Sequence, residues 1–379
     1  MVLLCQTRKR SYSKRMNINV DPVTPARAME LIRNIIPTGI PFFIHGEPGI
    51  GKSEIVEQIA AERNMRMTVQ MLTQMEATDL RGLQFVDEAK KVTVNYPPSW
   101  LPTKDDPPTI IFLDELPSAE PRLQVAAYQL LLSRRIGEFV LDKKHYVCGA
   151  GNRVDDGAVA YDMGTALAGR LLHMQMIAEP RCWLDWASKN TVHPIVMTFI
   201  QLKGHMLANL EEQLKSQNLI GPNPRNWNRV STIMHEVGPK NRNIAEPLVE
   251  GLIGKAATKD FFLTVEEMSG LPDPRIILDM EPKEFVKIIP EKLPNLWGLA
   301  FSIISYATTK EQMVKATMFF RLIVENGPKN QPLEDVRKMG MEILIDKASK
   351  AKLIQELSKE KEIRDYMAFS ERVLAIDTK

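Results

Sequence analysis

Eight consecutive residues have the types and spacing of a loop that binds phosphate groups. They are Gly46, Glu47, Pro48, Gly49, Ile50, Gly51, Lys52 and Ser53, and they fit the pattern G-x-x-x-x-G-K-[ST]. The glycines let backbone N–H groups turn inward around phosphate oxygens, and a helix that begins near Lys52 adds the positive end of its dipole. Lys52 should reach the β- and γ-phosphates, and the Ser53 hydroxyl should ligate Mg²⁺. The alternative, a glycine turn that binds nothing, fits poorly because an apolar run precedes the loop and a helical pattern follows it.

Two adjacent carboxylates end another apolar run. Residues 109–113 are apolar apart from the first, and Asp114 and Glu115 follow them. The carboxyl ends of parallel strands meet at one edge of a sheet, where ligands bind. At that edge Asp114 would hold Mg²⁺ through water, and Glu115 would polarise the attacking water as general base. An ordinary strand end followed by a turn is the alternative.

Three further polar residues have positions that suit phosphate chemistry. Asn152 ends the run 147–151 and could position the lytic water, although a turn asparagine is common. Arg170 precedes an apolar strand and could stabilise charge on a phosphoryl group bound by a neighbouring copy. Arg225 lies at a predicted helix start, from which it could swing toward a phosphate. Surface positions are the alternative for both arginines, and Arg153 and Arg181 are secondary candidates.

Strands and helices must alternate to bring these residues together. The predicted strands are 40–45, 65–71, 109–113 and 146–150; the predicted helices include 24–36 and 121–133. This alternation predicts a parallel α/β sheet. Residues 84–86 and 91–94 flank a polar turn and predict a β-hairpin.

The domain organisation follows from where this alternation stops. After residue 179 the pattern is mostly helical and is broken by prolines, which mark subdomain edges. We predict a flexible basic arm over 1–18, an α/β nucleotide-binding domain over 19–179 with a hairpin insert near 83–96, a helical lid over 180–255 and a helical C-terminal domain over 256–379. Within the C-terminal domain, residues 347–364 are predicted to form a charged surface helix. A start codon assigned too early is an alternative explanation for the N-terminal arm.

Bulk composition excludes several classes of protein. The chain has 379 residues and a formal net charge of +2, so no global field points to nucleic acid or a membrane. No apolar run is long enough to span a bilayer. Three cysteines without CxxC spacing favour a reducing compartment, and we expect a cytoplasmic protein.

The five features, in their order along the chain, resemble motifs of the AAA+ superfamily. The resemblance covers roughly residues 20–255, and its motifs are Walker A, Walker B, sensor 1, the arginine finger and sensor 2. The hairpin and the segments 76–83, 96–101 and 116–124 are similar to the MoxR-type ATPases of the helix-2-insert clade, which includes magnesium chelatase and dynein. Two departures are Gly169, where an acidic residue usually precedes the finger, and Arg153, where proline commonly follows the sensor 1 asparagine.

The resemblance implies the architecture and the activity that we test below. It implies an α/β P-loop domain followed by an α-helical lid and an α-helical C-terminal domain, with ATP and Mg²⁺ as cofactors. It further implies a homo-oligomeric ring, typically a hexamer, that acts as a chaperone-like remodeller of a partner protein, often one with a von Willebrand factor A domain. No guanine-recognition motif is present in the sequence, which favours ATP over GTP.

Two other functions stay open at this stage. One is a motor or loader that acts on DNA or RNA; the hairpin carries Lys90 and Lys91 but also Asp87 and Glu88, so its charge is too balanced for tight phosphate tracking. The other is a nucleotide-gated scaffold with little turnover, against which the intact Glu115 weighs.

Overall fold

The computed structural model of the chain describes residues 19–152, 168–361, 363–364 and 366–368. The predicted basic arm, 1–18, lies outside the described residues. The chain divides between Ile177 and Ala178 into two compact units, which we call the first and the second unit. None of the helices that the structure describes combines the length and hydropathy needed to cross a bilayer.

The first unit is built from alternating strands and helices. Its strands are β1 (Pro22–Val23), β2 (Phe42–His45), β3 (Arg66–Met71), β4 (Leu83–Asp87), β5 (Val92–Tyr96), β6 (Thr109–Asp114), β7 (Arg135–Ile136), β8 (Phe139–Val140), β9 (Tyr146–Gly151) and β10 (Leu172–Met176). Its described helices are α1 (Pro25–Ile35), α2 (Lys52–Glu62), α3 (Ala77–Arg81) and α4 (Pro121–Ser133).

Six of these strands form one parallel sheet in the order β1-β10-β2-β9-β6-β3. Every described neighbour pair in it is parallel. The central strands β2, β6 and β9 are buried over almost their whole length, as expected for strands covered on both faces by helices. The predicted α/β P-loop fold is therefore confirmed, and the sheet order brings the carboxyl ends of β2, β9 and β6 side by side.

Two antiparallel hairpins project from this framework. In the first, β4 pairs with β5 from Leu83 opposite Tyr96 to Asp87 opposite Val92, where the sequence predicts a hairpin. In the second, β7 pairs with β8 directly after α4. The first hairpin is unusual in its surface, because five large apolar side chains of it are exposed: Leu83, Phe85, Val86, Val92 and Tyr96.

The second unit is helical throughout its described length. Its helices are α5 (Pro180–Lys189), α6 (Pro194–Leu202), α7 (Leu210–Lys215), α8 (Pro224–Glu236), α9 (Arg242–Ile253), α10 (Lys255–Glu267), α11 (Pro274–Asp279), α12 (Leu293–Tyr306), α13 (Lys310–Asn326), α14 (Leu333–Lys350) and α15 (Ile354–Leu357).

One continuous apolar core holds these helices together. It runs from Trp183 to Tyr366 and so includes both the predicted lid and the predicted C-terminal domain. At its centre the ring of Trp227 lies 5.0 Å from Phe199 and 5.7 Å from Phe261 between centroids. The indole N–H is satisfied by the carbonyl of Met206 at 2.8 Å. The helical architecture agrees with the prediction, while the division at residue 255 stays a prediction.

The predicted single helix over 347–364 is wrong. Helix α14 ends at Lys350, and Lys352 has a positive φ of 59°. The Leu353 N–H bonds back to the carbonyl of Ala348 at 2.8 Å, which is the bond that closes a helix at its C-terminus in the Schellman motif. A short new helix, α15, then buries Leu357.

Candidate functional site

The loop 46–51 and the first turn of α2 form the pattern that was identified in the sequence; we call residues 46–53 the P-loop. Gly49 and Gly51 have φ of +77° and +95°, a backbone region that favours glycine. These two residues let the chain curl back after β2 and enter α2, with Gly51 as the residue that caps the helix. The backbone N–H groups at a helix start and in such a turn are free of helical partners and are suited to bind an anion.

Lys52 lies over this loop instead of extending into solvent. Its side chain is 9% exposed, and its ammonium group donates to the carbonyls of Gly46 and Glu47 at 2.8 and 2.9 Å. A third bond, of 2.9 Å, goes to Oδ1 of Asn152. The ammonium group is therefore fixed at the mouth of the loop, where a phosphate would compete with oxygen acceptors for its protons.

The strand β6 delivers Asp114 and Glu115 to the same edge of the sheet. Both are half-buried, and a carboxylate oxygen of Asp114 accepts from the Glu115 N–H at 2.9 Å. Glu115 has a φ of +56°, which is uncommon for a residue with a side chain and marks a position set by its surroundings. The chain therefore turns directly after the end of β6.

A partner of Glu115 was missed by sequence reasoning. The hydroxyl of Thr73 donates a short hydrogen bond to Oε2 of Glu115. Thr73 lies in a 3-10 turn directly after β3, and β3 pairs with β6 so that Met71 is opposite Asp114. Only the strand order makes these two residues neighbours. A hydroxyl two residues after a predicted strand was the one signal in the sequence.

Asn152 reaches the site because β9 lies between β2 and β6. Its side chain meets Lys52, as given above, and the preceding carbonyl of Gly151 accepts from the Gly46 N–H at 3.3 Å. The end of β9 is thus joined to the P-loop at two points. Cys148, in the same strand, is fully buried; burial raises the pKa of its thiol well above the ordinary range, so it stays protonated and is no nucleophile.

A pair of histidines joins β2, the strand before the P-loop, to β10, its neighbour on the side away from β9. His45, the last residue of β2, has its Nε2 2.8 Å from Nδ1 of His173 on β10. The Nε2 of His173 lies 2.8 Å from the carbonyl oxygen of Ala168. The pair links the P-loop strand to the segment that leads into Arg170.

The candidate arginines occupy exposed positions. Arg170 lies two residues before β10 and is exposed, while Arg153 lies outside the described residues. Arg225 is exposed in the first turn of α8, whose cap, Asn223, accepts from the Asn226 N–H at 2.9 Å.

Arg181 is less available than Arg170 for a role at a phosphate. It is the second residue of α5, and its guanidinium lies 3.3 Å from a carboxylate oxygen of Glu342. Both Arg181 and Arg225 belong to the second unit. Their predicted roles, like that of Arg170, stay predictions.

The described residues include no group of three or more His, Cys, Asp or Glu side chains that could hold a metal ion by themselves. Mg²⁺ usually takes only one or two protein ligands and completes its shell with water and phosphate oxygens. The Ser53 hydroxyl and the Asp114 carboxylate supply hard oxygen donors of the kind that Mg²⁺ prefers.

Sequence comparison identifies this part of the chain. Residues 41–160 match the family described as AAA domain, dynein-related subfamily. The matched stretch begins beside β2, contains the P-loop, Glu115 and Asn152, and ends before Arg170. A comparison with curated proteins gives no match.

The solved structures that the comparison finds share little sequence with this chain and superpose on it poorly. A candidate ATPase from Cytophaga hutchinsonii is 13% identical, with a TM-score of 0.32 over 83% of this chain and 81% of that one. NtrX from Brucella abortus in complex with ADP is 12% identical, with a TM-score of 0.33 over 87% and 70%. A point mutant of RuvB from Thermotoga maritima is 15% identical, with a TM-score of 0.31 over 69% and 74%. Likenesses this distant do not transfer a function.

Proposed function

We propose that this chain, whose residues 41–160 match the dynein-related AAA domain family, is an AAA+ ATPase that binds ATP with Mg²⁺ at the P-loop and hydrolyses it with Glu115 as general base. One observation carries the proposal: Lys52 begins the helix after the P-loop that follows β2, and Asn152 and Glu115 directly follow β9 and β6, which lie next to β2 in the order β2-β9-β6. Three groups that act on a phosphoryl transfer are thereby gathered at one edge.

The binding residues act through their backbone and through one cation. The N–H groups of 46–51 and the start of α2 would surround the phosphate oxygens. Lys52 would exchange one of its present oxygen acceptors for a phosphate oxygen. Ser53 and Asp114 would hold Mg²⁺, which when bound neutralises charge on the β- and γ-phosphate oxygens.

The side chains proposed for hydrolysis already have hydrogen-bond partners. Glu115 accepts a hydrogen bond from Thr73, which occupies one lone pair of the carboxylate and ties the side chain to the turn after β3. Asn152, already oriented by Lys52, would align the water. An intact carboxylate in this position favours turnover over a scaffold that only binds nucleotide.

We assign the finer function to a MoxR-type motor that remodels a partner protein. Arg170 is exposed and would serve the nucleotide of a neighbouring copy in a homo-oligomeric ring, which we expect to be a hexamer. Arg225 would act as a second phosphate sensor.

The β4–β5 hairpin favours a protein partner over DNA or RNA. Its apolar side chains are 47 to 73% exposed, which is typical of a protein-contact surface. Near its turn, Lys90 lies 3.4 Å from Asp87, so part of its positive charge is compensated. A protein that carries a von Willebrand factor A domain is the partner class that the MoxR resemblance suggests.

Replacing Glu115 with glutamine tests the proposal. Loss of a general base lowers the rate of a catalysed step by roughly 10²- to 10⁴-fold, so Glu115→Gln should abolish measurable ATP hydrolysis while nucleotide affinity and assembly are retained. Glu57→Gln is a matched control, because Glu57 is exposed on α2. The measurements are phosphate release and mass in solution, with and without ATP. A wild type that neither hydrolyses ATP nor assembles would contradict the motor, and steeply salt-dependent DNA binding would favour the nucleic-acid alternative.

A further inference from the structure

Gln124 is a buried polar residue to which the proposed reaction gives no role. It lies on α4 and is 4% exposed. Its amide nitrogen donates to the carbonyls of Pro117 and Ala119 at 3.2 and 3.0 Å, and its amide oxygen accepts from the Tyr128 hydroxyl at 2.6 Å. A buried amide with its donors and its acceptor engaged holds its neighbours firmly, since breaking any bond would leave a polar group unpaired.

The orientation of this amide is fixed by its partners. Two carbonyl oxygens can only accept, so the nitrogen and not the oxygen of Gln124 must face them. On the other side, burial raises the pKa of Tyr128 to about 12, so its hydroxyl keeps the proton that it donates. The side-chain amide of Gln124 therefore has one orientation, and we call Gln124 with its bonds to Pro117, Ala119 and Tyr128 the clamp.

The clamp grips the turn that carries Glu115. Residues Leu116–Ser118 form a 3-10 turn, closed by a bond of 2.9 Å from the Ser118 N–H to the Glu115 carbonyl. Glu115 itself has a left-handed backbone, a conformation that persists only where the surroundings impose it. The two carbonyls held by Gln124 belong to this turn and to the residue after it.

The same turn abuts the end of β9. A Cβ atom placed on Gly151 would lie 2.2 Å from Cδ of Pro117, so the proline ring packs directly on the Cα of this glycine. Gly151 in turn accepts from the P-loop, and Asn152 follows it. The contact between Pro117 and Gly151 thus sets the separation between the Glu115 turn and the pair formed by Lys52 and Asn152.

We propose that Gln124 is a positioning residue for ATP hydrolysis, which fixes the Glu115 carboxylate relative to Lys52 and Asn152 by holding the Pro117 turn against Gly151. This role rests on the proposed function, because it needs Glu115 to act on water. Gln124 does not touch the P-loop contacts described above. Its loss should therefore change the rate of hydrolysis and leave nucleotide binding intact.

The test compares Gln124→Met with Gln129→Met. Methionine has nearly the shape of glutamine but no donors, and Gln129 is exposed on the same helix. Since a misplacement of about 1 Å can cost on the order of 100-fold in rate, we expect kcat to fall roughly 10- to 100-fold in Gln124→Met. The KM for ATP and the Kd for ADP should stay within about twofold of wild type, and Gln129→Met should match wild type.

Two further variants keep the test decisive if Gln124→Met does not fold. Gln124→Glu keeps the shape but turns an acceptor toward two carbonyls, so its kcat should be lower than that of Gln124→Met. Tyr128→Phe leaves both donors of Gln124 in place, so its kcat should fall only a few-fold. Circular dichroism and amide exchange of residues 115–119 report folding and the state of the turn independently of turnover.

The outcomes separate the two proposals. An active wild type with a kcat-specific loss in Gln124→Met and faster amide exchange at 115–119 supports the positioning role. An active wild type with Gln124→Met equal to Gln129→Met, or with kcat and nucleotide affinity lost together, overturns it and leaves the ATPase proposal standing. An inactive wild type refutes the ATPase proposal itself, and the positioning role with it.

Discussion

The contacts at the candidate site of the first unit differ in kind from the core contacts of the second unit. In the first unit the decisive contacts are polar and lie at a sheet edge: Lys52 and Gln124 are buried with their hydrogen-bonding groups engaged, and Glu115 has a left-handed backbone. In the second unit the decisive contacts are apolar, around Trp227 and the phenylalanines beside it. The polar contacts depend on the direction of individual hydrogen bonds, whereas the apolar contacts depend on how well the side chains fill the core. Substitutions in the first unit should therefore change rates, and substitutions in the second should change stability.

Trp227→Ala should give the largest effect and the sharpest contrast. Trp227 is fully buried, and truncating a buried aromatic side chain costs about 3 to 5 kcal/mol. Segment-resolved hydrogen exchange should show faster exchange across residues 178–361 and little change across 19–152. Equal acceleration in both units would break the comparison, because it would mean that the two are stabilised by one common core.

A second contrast is pH dependence, which we expect from a histidine of the second unit. His193 caps α6 by accepting from the Ile195 N–H at 3.2 Å. Burial, and then the nearby His235, lower its pKa from 6.5 to about 4. In the unfolded chain the imidazole of His193 takes up a proton near pH 6.5, whereas in the folded chain it does so only near pH 4. The stabilisation is therefore complete above pH 6.5 and is lost as the pH falls toward 4, by up to about 3 kcal/mol.

His193→Asn isolates this contribution, since asparagine also caps helices but does not titrate. Denaturant unfolding at pH 7.5 should give similar free energies for both proteins. At pH 4.5 the wild type should have lost more stability than the variant. A wild type and a variant that weaken in parallel would show that other groups cause the acid sensitivity.

Thr73→Val should give the smallest effect, a change in the rate of ATP hydrolysis at the site in the first unit. The variant removes the hydroxyl that occupies Glu115, and a net hydrogen-bond contribution of about 1 kcal/mol corresponds to roughly a fivefold change in rate. We expect basal ATP hydrolysis to rise by about that factor, with unchanged unfolding of the second unit. Phosphate release at saturating ATP measures it.

Thr68→Val is the matched control for this variant. Thr68 lies on β3, the strand before the turn that carries Thr73, and its buried hydroxyl has no hydrogen-bond partner among the described residues. Its removal should leave the rate as it is. A fall in rate in Thr73→Val would mean that Thr73 orients Glu115 for the reaction instead of restraining it.

Local sequence patterns predicted the elements of the first unit well. The helix predicted at 121–133 matches α4, and the strand predicted at 146–150 extends by one residue in β9. Periodicity and capping residues are local signals, so they are readable without a fold. The P-loop was readable for the same reason, because its glycines and Lys52 lie within eight residues.

The contacts between elements that are distant along the chain could not be predicted from the sequence. Thr73 and Glu115 are 42 positions apart, and Lys52 and Asn152 are 100 apart; only the strand order makes them neighbours. The break after α14 was also hidden, because Lys352 adopts a left-handed backbone without being a glycine. The polar clamp of Gln124 gave no pattern, since a single glutamine on an apolar helix face has no periodic signature.

The histidine pair beside the P-loop has a built-in direction. The carbonyl of Ala168 can only accept, so the facing Nε2 of His173 must carry a proton, and in the neutral ring Nδ1 is then a lone pair. His45 must therefore present a protonated Nε2 to it across 2.8 Å. One backbone oxygen thus dictates the tautomers of two rings, and the hydrogen bonds run one way, from the P-loop strand toward the segment before Arg170.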